Sequence, residues 1–284
     1  MPSRSAYERV AHGIARYLAE RQRPNGALPG PSSYGVAFAL WLWSHFGAEF
    51  ALPVARAWRR LKEDPPRTHV EFNAYALLSC RERLGPGPTD AFLSRLALRG
   101  RHSANWMLLR AACRAAPGPW LCPILSTVEA RAALLRYGRG GLIHDRPGVR
   151  SLAYHAFSGA LLADLWRLRR LPWAGRRALL AARFLLPFIL ANGDALYIGR
   201  GQRQIFGCGA LLYLLEAAAR LSPDPAFPAA AGRVLDHLLA FRRPDHSFPL
   251  VLRAAEPPEP WAPDPALPGW YSYNRYADYL PFLA

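Results

Sequence analysis

The chain has 284 residues, 51% hydrophobic and 20% charged, which excludes a disordered protein and allows one large core or two smaller ones. Its formal net charge is +16, carried almost wholly by arginine, with Lys62 the sole lysine. The arginines are scattered, in pairs such as Arg59-Arg60, Arg169-Arg170 and Arg176-Arg177, so no basic block points to nucleic acid; the charge would instead concentrate an acidic substrate.

The N-terminal stretch has no uninterrupted apolar core and carries Glu8, so it is not a secretory signal. The expected location is the cytoplasm, or the periplasm or exterior if an export segment precedes the chain. Ser5 to Arg21 has apolar residues at Val10, Ile14, Ala15 and Leu18, which predicts an amphipathic helix with Ser5 as its cap. The turn Arg23-Pro24-Asn25-Gly26 follows. Tyr34 to Phe46 is apolar nearly all round, as in a helix buried on both sides. Helices are predicted next over Ala51 to Leu61, His69 to Leu84, from Thr89 or Asp90 to Leu98, Ser103 to Ala115 and Thr127 to Arg136. Gly138 to Gly141 reads as loop. Ser151 to Leu168, Pro172 to Leu190, Ile205 to Leu215 and Pro228 to Arg242 complete the helices. The most hydrophobic run, Ala178 to Ala191, is interrupted by Arg183 and Pro187 and is too short to span a membrane.

No period-2 strand is found. Helix-length segments joined by short Pro/Gly turns pack as antiparallel hairpins. The expected fold is all-α, a single α/α toroid over residues 1–284: a complete or incomplete (α/α)5-6 barrel with inner helices ringed by outer ones. The proline-rich stretch 244–268 is expected to be a surface connection. Cys80, Cys113, Cys122 and Cys208 lack metal-ligand spacing and sit in apolar neighbourhoods, as buried free thiols do. No metal or other cofactor is expected.

Asn192 to Tyr213 is the most distinctive stretch. Gly199 and Gly201 permit sharp turns, and Arg200, Gln202, Arg203 and Gln204 crowd the start of the next helix. A helix start offers free N–H groups and partial positive charge, so this is a seat for a carboxylate. Other polar groups also stand at helix starts or in turns: Glu71, Asn73 and Tyr75; His102, Asn105 and Trp106; His144, Asp145 and Arg146; Tyr154 and His155; Tyr197; and the tyrosine-rich end with Trp270 and Tyr273. Amide, imidazole, phenol and guanidinium, with few acids, suit β-elimination on a uronic acid polymer. There a polar group spreads the charge of an enolate-like intermediate while His or Tyr moves the proton.

Asn105 in SANWMLLR, the run HDRPGVRSLAYHAF, and YIGRGQRQIFGCGALLY resemble the helical-toroid polysaccharide lyases, of the alginate-lyase, chondroitin/hyaluronate-lyase and heparinase kind. The likeness spans about residues 70 to 280 as an order of motifs. It implies that Asn105 neutralises the carboxylate and His155 is the base. Tyr154 or Tyr197 would be the acid, and Arg200 or Arg203 would hold the substrate. Arg203, Gln202, Gln204, Trp106, His144, Arg146, Asn73, Tyr273 and Trp270 would bind an acidic polysaccharide. The motif carries Tyr-His where the family has Asn-His, and the β-sandwich domains that follow the toroid in many of these enzymes are not expected within residues 1–284. Two other classes compete. A glycoside hydrolase needs two carboxylates, for which Glu71, Asp145, Asp194 and Asp278 are available. A non-catalytic carbohydrate-binding or scaffold protein would keep the aromatic residues and arginines without depending on His155.

Overall fold

The computed structural model describes residues 2–85, 90, 93, 103–116, 122–253, 271 and 273–284. Its helices are α1 (Arg4–Arg21), α2 (Gly35–Phe46), α3 (Ala51–Glu63), α4 (Val70–Leu84), α5 (Ala104–Ala115), α6 (Pro123–Tyr137), α7 (Leu152–Arg169), α8 (Pro172–Leu185), α9 (Ile205–Leu221), α10 (Ala226–Leu239) and α11 (Tyr276–Leu283). A two-residue hairpin, β1 (Gly138–Arg139) with β2 (Leu142–Ile143), sits where loop was expected. The helix predicted up to Leu98 lies outside the described residues except at Asp90 and Leu93, which are helical.

Among the described residues, six helices form a closed inner ring. α2 packs on α4, α4 on α5, α5 on α7, α7 on α9, α9 on α11, and α11 on α2 again. The outer helices lie against this ring: α1 and α3 on α2, α6 on α5, α8 on α7 and α9, and α10 on α9. Burial follows that division. α7 is buried without interruption from Leu152 to Leu165, while α6 buries one stripe, Ser126, Ala130, Ala133 and Tyr137. The fold is therefore the expected all-α toroid. The apolar run from Ala178 proves to be largely an outer helix, with Leu180 and Leu190 exposed.

Three of the outer-to-inner crossings use one turn design. In Arg23-Pro24-Asn25-Gly26-Ala27, Leu190-Ala191-Asn192-Gly193-Asp194 and Arg243-Pro244-Asp245-His246-Ser247, the fifth residue's carbonyl accepts from the first residue's N–H. In each, the Asn or Asp side chain accepts from the N–H two residues on. The fourth residue has positive φ in all three, including the non-glycine His246 at 68°. The beginning of the 244–268 connection is not on the surface. Phe248, Leu250, Val251 and Leu252 are buried, and they bond along the start of α9 through Ile205 N to Leu250 O at 3.0 Å and Leu252 N to Arg203 O at 2.9 Å.

The ring closes through Asp278, in the first turn of α11. Its Oδ1 accepts from the backbone N–H of Ser33, Tyr34 and Gly35 at 2.7–2.9 Å and from Ser32 Oγ at 2.7 Å. Asp278 thus caps the start of α2, satisfying donors that a helix start leaves free. Burial raises its carboxyl pKa, against the pull of those hydrogen bonds. Asp278→Ala is expected to cost about 3 kcal/mol in chemical denaturation, because several buried donors lose their acceptor. Asp278→Asn, which keeps an acceptor oxygen, should recover most of that loss.

A second expectation concerns glycine. Gly193 has φ 84°, and a Cβ there would lie 2.0 Å from Arg233 O; Gly232, within α10, has nothing within 4 Å. Gly193→Ala should destabilise by about 2 kcal/mol or more, and Gly232→Ala should stabilise by up to about 1 kcal/mol.

Candidate functional site

The starts of the inner helices meet at one end of the ring: Asp278 of α11 caps α2, Asn73 of α4 bonds Ser33 before α2, Ala104 N of α5 bonds Asp145 O before α7, and Ser151 at the cap of α7 bonds Arg200 O before α9, so the six helices run the same way. That end carries the partial positive charge of six helix starts. Arg200, in the loop before α9, is at its centre. It pairs with Asp145, lies over the Tyr154 ring at 4.4 Å and reaches the Tyr273 ring at 5.6 Å. Its backbone carbonyl accepts from Ser151 Oγ at 2.6 Å, which ties the loop to the cap of α7. Asp145 is 1% exposed; Asp145 Oδ1 and Arg200 Nε are buried without partners. Burial raises the Asp145 carboxyl pKa despite the guanidiniums of Arg200 and Arg146.

Phenols surround this pair. Tyr34, Tyr154 and Tyr279 are nearly buried, while Tyr273 is 43% exposed and stacks on Tyr271 at 5.4 Å. Burial raises the pKa of Tyr154 strongly, so it is a neutral phenol at rest. Burial also raises the Tyr273 pKa, but Arg200 and the Tyr154 hydroxyl pull it back. Trp106 joins the same end through ring contacts with His69 and Phe72 at 5.6 Å and 5.4 Å.

The structure thus brings together Tyr154, Arg200 and Tyr273, with Trp106 on the same end. It does not place His155 there. His155 is fully buried, turned toward outer helix α8, with Nδ1 accepting from Ile143 N at 3.0 Å and Nε2 bonded to Ala181 O at 3.1 Å. Burial pushes its pKa down to about 4. With both ring nitrogens engaged in the core, it cannot serve as the base. Neighbours on a helix point about 100° apart, and Tyr154 took the inward direction.

Several other expected ligands are committed elsewhere. Asn73 is 1% exposed and donates to Ser33 O and His69 O, both at 3.0 Å, joining α4 to the loop before α2. Gln204 is buried and donates to Asn274 Oδ1 at 2.9 Å. Arg203 is bonded through Nε and a terminal nitrogen to Asp194, at 3.0 Å and 2.6 Å, and holds its own loop rather than substrate. Asn105 stands at the start of α5 but is 2% exposed, and its Oδ1 accepts from Ser103 Oγ at 2.6 Å. Tyr197 is half-buried and outside the contacts of Arg200. His144 is half-buried, and Gln202 and Arg146 are exposed. Trp270 and His102 lie outside the described residues. Among those residues, no three His, Cys, Asp or Glu side chains gather as a metal site, and no helix is long and apolar enough to cross a membrane. Glu71 is used in a buried network, where Arg110 joins it to Glu129 and Arg114.

The opposite end of the ring was not anticipated. The C-terminal halves of the inner helices line an open cavity of about 830 Å³, floored by Phe38, Phe157 and Phe282. Asp164 is set in its wall, 3% exposed, accepting from the phenols of Tyr75 and Tyr213, the latter at 2.5 Å, and from Arg167 Nε at 3.2 Å. The sequence did hold one signal: Asp164 is the only charged residue in the buried run of α7. Its phenol partners come from α4 and α9, and no local pattern connects them to it.

Neither a protein-family model nor a curated protein matches this chain. Solved structures do. Cellobiose 2-epimerase from Bacillus thermoamylovorans B4167 aligns with a TM-score of 0.69 and 11% identity over 98% of both chains. A polysaccharide lyase aligns at 0.67 and 10% identity over 98% of this chain and 95% of its own. A type II terpene cyclase from Scytonema aligns at 0.61 and 15% identity over 87% and 82%. At such identities the likeness establishes the α/α toroid and not a reaction.

Arg200 and Arg203 should behave differently when removed. Arg200→Ala leaves the buried Asp145 carboxylate unpaired and should cost about 3 kcal/mol at neutral pH. Its folded pKa then rises further above the unfolded value. The variant should therefore be closest to the parent below the ordinary carboxylate range and lose ground as pH rises through the folded value. Arg203→Ala breaks a partly exposed pair and should cost less than about 1 kcal/mol. Urea denaturation at several pH values checks both.

Proposed function

We propose that the chain is a carbohydrate-active enzyme working at the N-terminal end of the ring, and that it cleaves a uronic-acid-containing polysaccharide by β-elimination. The observation that carries this reading is Arg200: a guanidinium with an unpaired Nε, set against two phenols where six helix starts converge. These groups favour negative charge, which is what the reaction develops. The substrate carboxylate binds Arg200. The Tyr273 phenolate takes the C5 proton, and the freed electron pair spreads onto the carboxylate as an enolate. The pair then forms the C4=C5 bond as the C4–O4 bond breaks, and Tyr273 returns its proton to the departing O4. Tyr154 and Arg200 stabilise the phenolate, so Tyr154 is a positioning residue. This replaces His155 as base. Arg200 takes the neutralising role first given to Asn105.

Asp145 supports a second reading, hydrolysis, because its raised pKa and unpartnered Oδ1 suit a general acid. Hydrolysis also needs a second carboxylate. Among the described residues, Asp278 caps α2 and Asp194 holds Arg203. Elimination fits the remaining groups better.

The test is a panel of uronate polymers followed by ultraviolet absorbance of the conjugated uronate product. New reducing ends without that absorbance would mean hydrolysis, and binding without either would mean a non-catalytic protein. Activity should climb toward alkaline pH, since a phenolate base is needed. Tyr273→Phe should lower turnover by about two to four powers of ten with little change in binding. Tyr154→Phe should lose less and shift the pH profile upward.

A further inference from the structure

The cavity at the C-terminal end has the wrong walls for a saccharide. Its interior is built mainly from Phe38, Trp41, Leu78, Phe157, Leu161 and Phe282. The polar groups deep in the wall are already used: the Tyr75 and Tyr213 hydroxyls and Arg167 all serve Asp164, while His45, Glu82, Arg83 and Arg220 are exposed. Few donors or acceptors are left at that depth for sugar hydroxyls. The cavity of about 830 Å³ is open to solvent, and an apolar ligand that displaces water from its apolar floor gains the free energy of burying that surface. The wall of α7 from Phe157 to Leu168 is about 16 Å long at 1.5 Å per residue, deep enough for an extended chain.

Charge decides the orientation of an occupant. The C-termini of the inner helices put partial negative charge at the rim, away from the apolar floor, and arginines in their last turns, Arg81 and Arg83 of α4 and Arg220 of α9, offset it. Arginines outnumber acids there: Arg4, Arg81, Arg83 and Arg220 stand against Glu8 and Glu82, with Arg4 paired to Glu8 at 2.7 Å, Arg81 paired to Asp90 at 2.9 Å, and Arg220 exposed. The apolar body belongs inside, and an anionic head belongs at the arginines.

We propose that this cavity binds an amphiphile with one apolar chain and one anionic head, chain inward against Phe38, Trp41, Phe157 and Phe282, head outward at Arg220. The site is independent of the polysaccharide reaction proposed for the other end.

The test is calorimetric titration of the full chain with octanoate, decanoate and dodecanoate, then dodecyl phosphate, dodecanol and dodecyltrimethylammonium. Intrinsic tryptophan fluorescence, to which Trp41 in the wall contributes, provides a second readout. Saturable one-site binding is expected, tightening about three- to fourfold per added methylene. Carboxylate and phosphate heads should both bind, and whichever binds tighter identifies the source of the anion. Ala160→Trp fills the cavity and should abolish binding. Arg220→Glu, at an exposed position, should weaken dodecanoate about fivefold at low salt and leave dodecanol unchanged. Circular dichroism and thermal midpoint confirm folding, and Arg220→Glu carries the test if Ala160→Trp does not fold. Absence of saturable binding would overturn the proposal. So would equal affinity for the trimethylammonium amphiphile, or binding that neither variant alters.

Discussion

The architecture depends on one carboxylate. Asp278, in the last helix, takes the free N–H groups at the start of α2, and so joins the end of the chain to its first inner helix. The approach is close because residue 35 is glycine: a Cβ there would fall 1.7 Å from Ala277 O. α11 must close the ring for either end to exist as a walled space. It brings Tyr273 and Tyr279 to one end and Phe282 to the other, and its own aromatic residues complete the seal. A helix of eight residues with an internal proline would be marginal alone, so the cap and the packing around it do what propensity does not.

The second organising feature is polarity. Parallel inner helices give the toroid two unlike ends, and an aromatic plug separates them. Phe282 contacts Phe38 at 5.0 Å and Phe157 at 5.3 Å, and Phe206 lies behind it at 6.2 Å. On the N-terminal side stand phenols and Arg200. On the C-terminal side is the apolar cavity, with arginines at its rim that also complement the helix dipoles. Among the described residues, the buried acids near that end are spent on structure: Glu71 on Arg110, Asp145 on Arg200, Asp194 on Arg203, Asp278 on α2. That economy of free carboxylates is why the proposed chemistry runs through phenols and a guanidinium.

Much of the fold was legible from the residues in order. Period-3.6 stripes, all-apolar runs and Pro/Gly punctuation depend on a few neighbouring positions, so α1, α2, α5 and α7 begin and end within a residue or so of their predicted bounds. Tyr154, Arg200 and Tyr273 were also singled out, because helix starts and glycine turns mark where polar side chains gather. Other features were hidden. The three Asx turns share a geometry but differ in sequence, with His246 standing where the other two have glycine. α11 was obscured by Pro281 and its aromatic residues.

What the sequence determined by itself was the helical class, the toroid, and the end of the ring where polar groups collect. Tertiary structure alone decided which of two adjacent residues, Tyr154 or His155, faces that end. A 100° step on one helix has no meaning until the neighbouring helices say which direction is inward. It also decided that Asn73, Gln204 and Arg203 are fastened to the scaffold, because their partners lie in other segments. It made the second cavity, whose central Asp164 meets Tyr75 and Tyr213 across 89 and 49 residues of chain. Local pattern carries secondary structure because its interactions span a turn or two; a site assembled from distant helices is written only in how those helices pack.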